Sequence, residues 1–392
     1  MTRFLMLVIS CCIANSVSGE DRLPALAEKF LQEGLLTGGE AASLVALRLN
    51  PNDDEARFGL GVIQVVQAIE NLGRSLYAYG AVSENANMDF FRLPVPNNDS
   101  PSSISLETMG RVLDTFAADL NRAETTLAGV SDAQVKLRLE LSKISFDFTS
   151  SGKDRTSLPD LIIKLSGGVF EFNKANSKLL VHFDYSDVVG IRAYCHLLCA
   201  MVEVYRTFDL EPGFAFMGNV FPNVEEPTKK FDSDPNELKV VDAARLRRAR
   251  LHFVAACELS RMMWKLIRNE TDNDYEWLPN EKQTDLLVGL PMSPQRVNTC
   301  LVMIEESERL MKGERLLPGS MFGPLIKEGY GLNLQKLMDD PPAKFWDEKH
   351  IQQYGKYFEV LDSKNQFHGN VVLWLSLLVM NPYEFAFAVR VL

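Results

Sequence analysis

Apolar residues at helical spacing constrain the fold of this 392-residue chain more than any other feature of its sequence. Residues 185–208 are apolar around most of a helix's circumference, which predicts a long helix at the centre of a hydrophobic core. A second long helix is predicted to begin after Ser105, a good capping residue, and to end at Gly129. Its apolar positions recur every three or four residues: Leu106, Met109, Val112, Leu113, Phe116, Leu120 and Leu127. The chain is therefore predicted to be mainly α-helical.

Residues 104–392 are predicted to form one large helical domain, and weaker sequence patterns indicate its remaining elements. Helices are predicted from Asn236 to Arg268 and over about 295–312, and the apolar run 371–380 indicates a buried helix too short to span a membrane. Apolar and charged residues alternate over 135–148, which predicts a small extended or hairpin segment at the surface. Proline-punctuated long loops are predicted at 210–235, 279–294 and 312–345.

Residues 20–90 contain a degenerate repeat. Gly39 and Ala46 are followed 34 residues later by Gly73 and Gly80. The pattern resembles the tetratricopeptide repeat, in which small residues let antiparallel helices pack closely. That resemblance implies a helical-repeat-like part, packed on the larger domain, with a surface suited to segments of other proteins.

The same region also contains a pattern that argues against a second repeat. No turn interrupts Gly61 to Leu76, which predicts one long helix at that point. A linker rich in turn-forming residues, 92–103, is predicted to connect these helices to the larger domain.

Residues 1–19 have the pattern of a cleavable signal peptide. Arg3 precedes a short apolar core, and small residues before Glu20 suit a signal peptidase. An alternative is a lipoprotein signal, because Val8-Ile9-Ser10-Cys11 resembles a lipobox in which Cys11 would be lipidated. A third interpretation keeps an apolar helix in the fold. The first two predict an exported protein, either periplasmic or secreted, or tethered to a membrane by its lipid.

The charge of the chain narrows its possible partners. The net charge is −11, and no basic stripe is present. Nucleic acid is a poor partner for such a chain, because phosphate contacts need clustered Lys and Arg. Attachment to anionic lipid is disfavoured for the same reason. A protein partner is predicted, and membrane contact only through a lipid anchor.

Four cysteines remain once Cys11 and Cys12 are removed with the signal: Cys195, Cys199, Cys257 and Cys300. An exported protein can pair them, for example Cys199 with Cys257. Most of them lie in strongly apolar helical stretches, where unpaired cysteines are usually buried. Buried thiols are the preferred interpretation.

The segment from Asp147 to Gly152 has the donor spacing of a calcium loop, with oxygen side chains at Asp147, Thr149 and Ser151. It departs from the EF-hand pattern because Leu158 occupies the place of the bidentate carboxylate. A plain polar turn is therefore the expected structure.

A cluster of ionisable residues precedes the predicted central helix. His182, Asp184 and Asp187 could bind a divalent metal or perform acid–base chemistry, with His196 one to two turns further on. The two aspartates would serve equally well as helix caps, which is the preferred interpretation.

Two other motifs are expected to be structural. Cys195-His196-x-x-Cys199 does not form a zinc signature, because His196 points about 100° away from the two cysteines on a helix. The basic run at Arg245, Arg247, Arg248 and Arg250 is expected to form a salt-bridged, solvated face, with a site for an acidic partner as the alternative.

Four short segments of the sequence are distinctive as a set: Arg57-Phe58-Gly59-Leu60-Gly61, Phe91-Arg92-Leu93-Pro94-Val95-Pro96, Tyr194-Cys195-His196-Leu197-Leu198 and Gly329-Tyr330-Gly331-Leu332-Asn333-Leu334. Together they resemble an uncharacterised family of exported bacterial proteins of planctomycete type. The resemblance covers most of the chain and implies no activity, although the family has a more acidic loop in the place of Asp147 to Gly152.

These patterns favour an exported, non-enzymatic protein that binds another protein or acts as an envelope scaffold. The sequence contains no Gly-x-Ser-x-Gly, Walker or His-Glu-x-x-His motif. The alternative is a metal-binding or small-ligand-binding protein, or a hydrolase, with its site near His182, Asp184 and Asp187. No cofactor is predicted apart from a divalent metal in that alternative.

Overall fold

The computed structural model describes most of the chain between residues 25 and 367. The described residues are 25–86, 91–165, 171–172, 176, 178–210, 218–225, 238–273, 275–284, 287–288, 293–319, 328–345 and 354–367. The predicted signal peptide with Cys11 and the predicted helix 371–380 lie outside them. So do parts of the three predicted loops.

Helices dominate the described residues, which confirms the predicted mainly α-helical fold. The helices are α1 (Leu26–Glu33), α2 (Leu36–Leu49), α3 (Asp54–Ala78), α4 (Leu106–Ala128), α5 (Leu158–Leu165), α6 (Tyr185–Thr207), α7 (Ala243–Asn269), α8 (Pro294–Met311) and α9 (Leu334–Asp339).

Helix α6 is the predicted central helix, and it packs against both α4 and α7. Cys195, Leu198 and Val202 on this helix are almost completely buried. In the described part of the chain, α6 is the one helix long and apolar enough to cross a membrane by length and composition. Half of its most apolar window is buried inside the protein. Packing against α4 and α7 accounts for that apolar composition.

Side-chain caps determine where two long helices begin. Ser105 Oγ accepts the backbone N–H of Thr108 at 3.1 Å, and α4 ends before Gly129, as predicted. Asp242 Oδ1 accepts the N–H of Ala244 at 3.0 Å, so α7 begins at Ala243. The predicted start of this helix at Asn236 is wrong, because the chain is extended just before the cap.

A single 25-residue helix, α3, covers the second half of the predicted repeat. The predicted continuous helix from Gly61 to Leu76 is thereby confirmed. α3 packs against α2 and α4, and one hydrophobic core joins Phe58 of α3 to Leu198 of α6. Leu93, in the predicted linker, is fully buried in the same core. The first helices and the central helix therefore share one interior.

The strands are short and lie between the helices. The predicted extended segment at 135–148 is confirmed: β1 pairs antiparallel with β5, and β2 forms a small hairpin with β3. β4 pairs with β7, β6 with β10, and β9 lies between β8 and β11. The strands are β1 (Leu137–Glu140), β2 (Ser145–Phe146), β3 (Thr156–Ser157), β4 (Glu171–Phe172), β5 (Leu180–Phe183), β6 (Leu238–Lys239), β7 (Leu287–Val288), β8 (Leu317–Pro318), β9 (Tyr330–Leu332), β10 (Lys344–Phe345) and β11 (Phe358–Val360).

The predicted long loop at 312–345 is wrong for the described residues, because it contains β8, β9, α9 and β10. A second hydrophobic core forms there. Trp264 of α7 and Tyr357 are completely or almost completely buried in it, together with Leu332 of β9. Strands of two or three residues carry too little periodicity to be recognised in a sequence.

Candidate functional site

The predicted site residues Asp184 and Asp187 lie at the start of α6. Asp184 Oδ1 accepts the backbone N–H of Ser186 at 2.7 Å. Asp187 Oδ2 accepts the N–H of Asp184 at 2.9 Å. The two aspartates form a capping box, so the preferred capping interpretation is confirmed.

Folding brings two distant carboxylates to this helix end. Glu270 follows α7 directly, and Glu276 lies buried in the loop after it. One carboxylate oxygen from each of Asp184, Glu270 and Glu276 lies within 4.8 Å of the others. These three residues together with Asp187 are named the carboxylate cluster below. The cluster joins the start of α6 to the end of α7.

Two members of the carboxylate cluster, Asp187 and Glu270, have raised pKa values. Burial, and then the negative charge of Asp184, hold the pKa of Asp187 well above its usual range. Burial and Asp184 also raise the pKa of Glu270, although hydrogen bonds from Ser186 and Gln283 offset part of that rise. Within the described residues, no Lys or Arg is among the main charges acting on Asp187 or Glu270. The charges of Asp187 and Glu270 are therefore poorly compensated when both groups are ionised.

His182 reaches the same region through its backbone. It lies in β5, and its N–H donates to the carbonyl of Tyr275 at 3.2 Å. The two rings meet edge to face, with 6.3 Å between their centroids. The oxygens that could share a metal ion come from carboxylates, and His182 is not among those ligands. Such a set suits a hard cation such as Ca²⁺ or Mg²⁺ better than zinc.

The calcium-like loop is a polar turn closed on itself. Asp147 Oδ2 accepts the N–H of Gly152 at 2.9 Å, and Oδ1 accepts the Thr149 hydroxyl at 3.2 Å. The Thr149 hydroxyl lies 2.7 Å from Ser151 Oγ. Asp147 is buried, but these hydrogen bonds and the nearby Arg74 guanidinium lower its pKa. Internal hydrogen bonds and a neighbouring cation favour the plain-turn interpretation.

All four cysteines in the described helices, Cys195, Cys199, Cys257 and Cys300, are buried thiols outside any disulfide. Burial raises the pKa of Cys199 to about 12 and that of Cys300 to about 11. The preferred interpretation of buried thiols is confirmed, and the alternative bridge between Cys199 and Cys257 is not formed.

The arginine run on α7 forms ion pairs between helices. Arg245 and Arg248 lie 3.1 Å and 3.0 Å from carboxylate oxygens of Glu203 in α6. Arg250 is buried, with Nη2 2.8 Å from Asp339 Oδ1 of α9. The predicted salt-bridged face is confirmed, but Arg250 is not solvated, because α9 covers it.

Sequence reasoning missed a pair of histidines. Nδ1 of His196 on α6 lies 2.8 Å from Nδ1 of His252 on α7. Nε2 of His196 lies 3.5 Å from Glu124 Oε1 on α4. The two histidines are far apart in the chain, and only the packing of α6 against α7 reveals their contact.

Helix α2 has apolar residues on both of its faces. Leu36 and Gly39 are buried on the inner face. On the opposite face Leu44, Val45 and Leu49 are 43%, 46% and 75% exposed. The outer face of a surface helix is ordinarily polar, so this cluster of exposed apolar side chains is unusual. The α2 outer face is defined by its outward positions Ala41, Leu44, Val45, Arg48 and Leu49.

An open groove of about 390 Å³ lies beside the α2 outer face. It is lined by Leu44, Leu47 and Arg48 of α2, Arg57 and Leu60 of α3, and Thr125 and Thr126 of α4. Both charged residues of this lining are arginines. Arg57 is held by Asp54, 3.5 Å away. Arg48 donates to the Leu44 carbonyl at 3.3 Å and forms no ion pair within the described residues.

The comparisons with known proteins leave this geometry as the main guide to function. No protein-family model, no curated protein and no solved structure matches the chain.

Proposed function

We propose that this chain is an exported, non-enzymatic protein that binds a segment of another protein on the α2 outer face. One observation carries the proposal: a helix that is apolar on both faces presents one of them to solvent. Contiguous exposed apolar surface commonly marks a protein-interaction site. The signal-like residues 1–19 support export.

The groove indicates the chemistry of the partner. Leu44, Leu47 and Leu60 would be covered by apolar side chains at helical spacing, as in other grooves that bind a helix. Arg48 adds an exposed positive charge that forms no ion pair within the described residues, and so favours a carboxylate in the partner. The expected occupant is an amphipathic helix with an Asp or Glu beside its apolar face.

A synthetic peptide tests this proposal directly. The probe is a fluorescent helical peptide of about 16 residues, with one leucine face and one flanking Glu. The purified protein should bind it, as measured by fluorescence anisotropy. The triple substitution Leu44→Ser, Val45→Ser and Leu49→Ser should weaken binding roughly tenfold or more, because it removes the apolar contact. Val302→Ser is the matched control, since Val302 is 60% exposed on α8, outside the groove.

Two results would contradict the proposal. One is the absence of binding by the unmodified protein, or equal binding by the triple variant. The other comes from sedimentation of the protein alone. A concentration-dependent dimer that the triple substitution abolishes would show that a second copy covers the α2 outer face.

The carboxylate cluster supports a second candidate function, the binding of a divalent cation. Glu270 Oε1 is buried without a well-aligned hydrogen bond. The oxygens of Asp184, Glu270 and Glu276 are close enough to share one ion. A cation that prefers oxygen ligands, such as Ca²⁺, would offset their mutual repulsion. Bound there, it would tie the start of α6 to the end of α7.

Thermal unfolding at pH 7.5 with CaCl₂ or with EDTA tests the second candidate. Calcium at about 100 times its Kd would stabilise the protein by about 2.7 kcal/mol and raise the Tm by several degrees. Glu270→Gln should abolish the rise. Glu359→Gln, which alters an acidic residue paired with Lys336 at 2.9 Å, should preserve it. No rise in the unmodified protein, or a rise that persists in Glu270→Gln, would exclude the cation site.

A further inference from the structure

Three helices meet at a row of titratable side chains, namely Glu124 of α4, His196 of α6 and His252 of α7. The two Nδ1 atoms of the histidines are 2.8 Å apart, and the Glu124 Oε1 to His196 Nε2 distance is 3.5 Å. Arg192 of α6 also lies 3.0 Å from Glu124 Oε1. The two histidines lie in the α6–α7 interface, which is the most extensive contact between helices in the described residues, and all three side chains of the row are half-buried.

The geometry limits how many protons the row can hold. A hydrogen bond between two Nδ1 atoms needs one N–H donor and one lone-pair acceptor. His196 Nε2 faces the Glu124 carboxylate and His196 Nδ1 faces His252, so a proton on His196 Nδ1 is donated to the lone pair of His252 Nδ1. His252 must be neutral to accept. A second proton, on His252 Nδ1, removes the acceptor and places two positive rings in contact.

We propose that Glu124, His196 and His252 form an acid-sensitive latch between α4, α6 and α7. The latch holds the helices together while His252 is neutral, and it loosens the α6–α7 contact when His252 gains a proton. This property goes beyond the proposed binding function, because the α2 outer face takes no part in it.

The surrounding charges set the direction of the response. Burial, and then the adjoining His196, lower the pKa of His252, whereas Glu203 and Glu124 act in the opposite sense. Arg248 lowers it further, and Glu203 is already engaged by Arg248 at 3.0 Å. Because the pKa of His252 is lower in the folded than in the unfolded state, neutral His252 stabilises the folded protein at pH values above the ordinary pKa of histidine. That stabilisation is lost as the pH falls toward the folded-state pKa.

Imidazole ¹⁵N NMR of the full protein tests the latch. The expected result is that His252 Nδ1 carries no proton at pH 7 and gains one only at a pH below the ordinary titration range of histidine. His196→Gln should move the His252 titration to higher pH, because a neighbouring positive charge is removed. His182→Gln, which leaves the row intact, is the matched control and should leave the His252 titration unchanged.

The pH dependence of unfolding provides a second readout. Between pH 7 and pH 5 the unmodified protein should lose more stability than His252→Gln, because it takes up more protons on unfolding. A His252 titration unaffected by His196→Gln would overturn the proposal. These NMR results decide the matter even if His252→Gln does not fold. Equal pH slopes in folded His252→Gln and in the unmodified protein would also overturn it.

Discussion

Asp187 shows how strongly one residue's surroundings can change its chemistry. It is a helix-capping carboxylate, which is ordinarily a stabilising group, but it is 7% exposed and surrounded by three other carboxylates. Its pKa is raised in the folded state. Protonated Asp187 therefore stabilises the folded protein at low pH, and this stabilisation is lost as the pH rises through the folded-state pKa of Asp187.

Asp187→Asn is accordingly expected to stabilise the protein at pH 8 in EDTA. The amide oxygen can still accept the Asp184 N–H, and a buried negative charge is removed. A gain of about 1 kcal/mol is expected at pH 8, the usual scale of a single substitution, and it should shrink toward pH 4. Urea unfolding at the two pH values measures the difference. A loss of stability at pH 8 would show that the ionised carboxylate is needed there.

Glu107→Gln is the control for that measurement. Glu107 forms an exposed pair with Arg111, with side chains 82% and 67% accessible. Its substitution should change the free energy of unfolding by less than about 0.5 kcal/mol at either pH.

At the scale of the helix, two neighbouring glycines of α2 have opposite surroundings. A Cβ at Gly39 would lie 2.7 Å from Phe30 Cβ and 2.9 Å from Ile63 Cδ1. A Cβ at Gly38 would meet the Phe30 ring at 3.4 Å, which is an ordinary contact. Only Gly39 is therefore needed for α2 to approach α1 and α3.

Alanine at the two glycines should have opposite effects. Gly39→Ala is expected to destabilise the protein by about 1–3 kcal/mol through overpacking. Gly38→Ala should stabilise it by roughly 0.5–1 kcal/mol, because alanine favours the helix. Chemical denaturation of the two variants measures the contrast. Equal effects would mean that α2 is not packed as described.

The helices that the sequence predicts well are those whose signals are local. The long helices α4 and α6 follow from apolar spacing and adjacent caps such as Ser105 and Asp184. The pairing of β1 with β5 is not local, because Leu137 and its partner Phe183 are 46 positions apart in the chain. The predicted start of α7 at Asn236 is wrong, because the residue that caps this helix is Asp242, six residues further along the chain.

The candidate sites follow the same division. Asp184 and Asp187 could be singled out as a capping pair from their spacing. Glu270 and Glu276 join them only because α6 and α7 pack together, and His252 meets His196 for the same reason. The outward exposure of Leu49 depends on which face of α2 packs against α3, and a helix with apolar residues on two faces leaves that choice open.

At the scale of the whole molecule, the burial of the cysteines makes a prediction about redox chemistry. Iodoacetamide at pH 8 should leave Cys195, Cys199, Cys257 and Cys300 unlabelled in the folded protein, because the reactive species is the thiolate and burial disfavours it. All four should react after denaturation, and dithiothreitol should leave the Tm unchanged. Peptide mass mapping reads out the labelling. A disulfide-linked peptide containing two of these residues would contradict the buried-thiol assignment.

The described part of the chain is a set of helices around α6, and the α2 outer face is exposed to solvent. The α2 outer face is the basis of the proposed function. The positive charge of Arg48 should make the protein prefer a partner with a carboxylate to one with an amine, and this preference can be measured. The decisive measurement compares a Glu-bearing and a Lys-bearing version of the leucine-faced peptide by anisotropy at low ionic strength.

The unmodified protein should prefer the Glu peptide by roughly fivefold, the equivalent of about 1 kcal/mol for an exposed charge pair. Arg48→Glu should reverse that preference while the apolar contact still supports binding. A failure of both peptides to bind, or a preference that Arg48→Glu leaves unchanged, would contradict the assignment of the α2 outer face as the partner site.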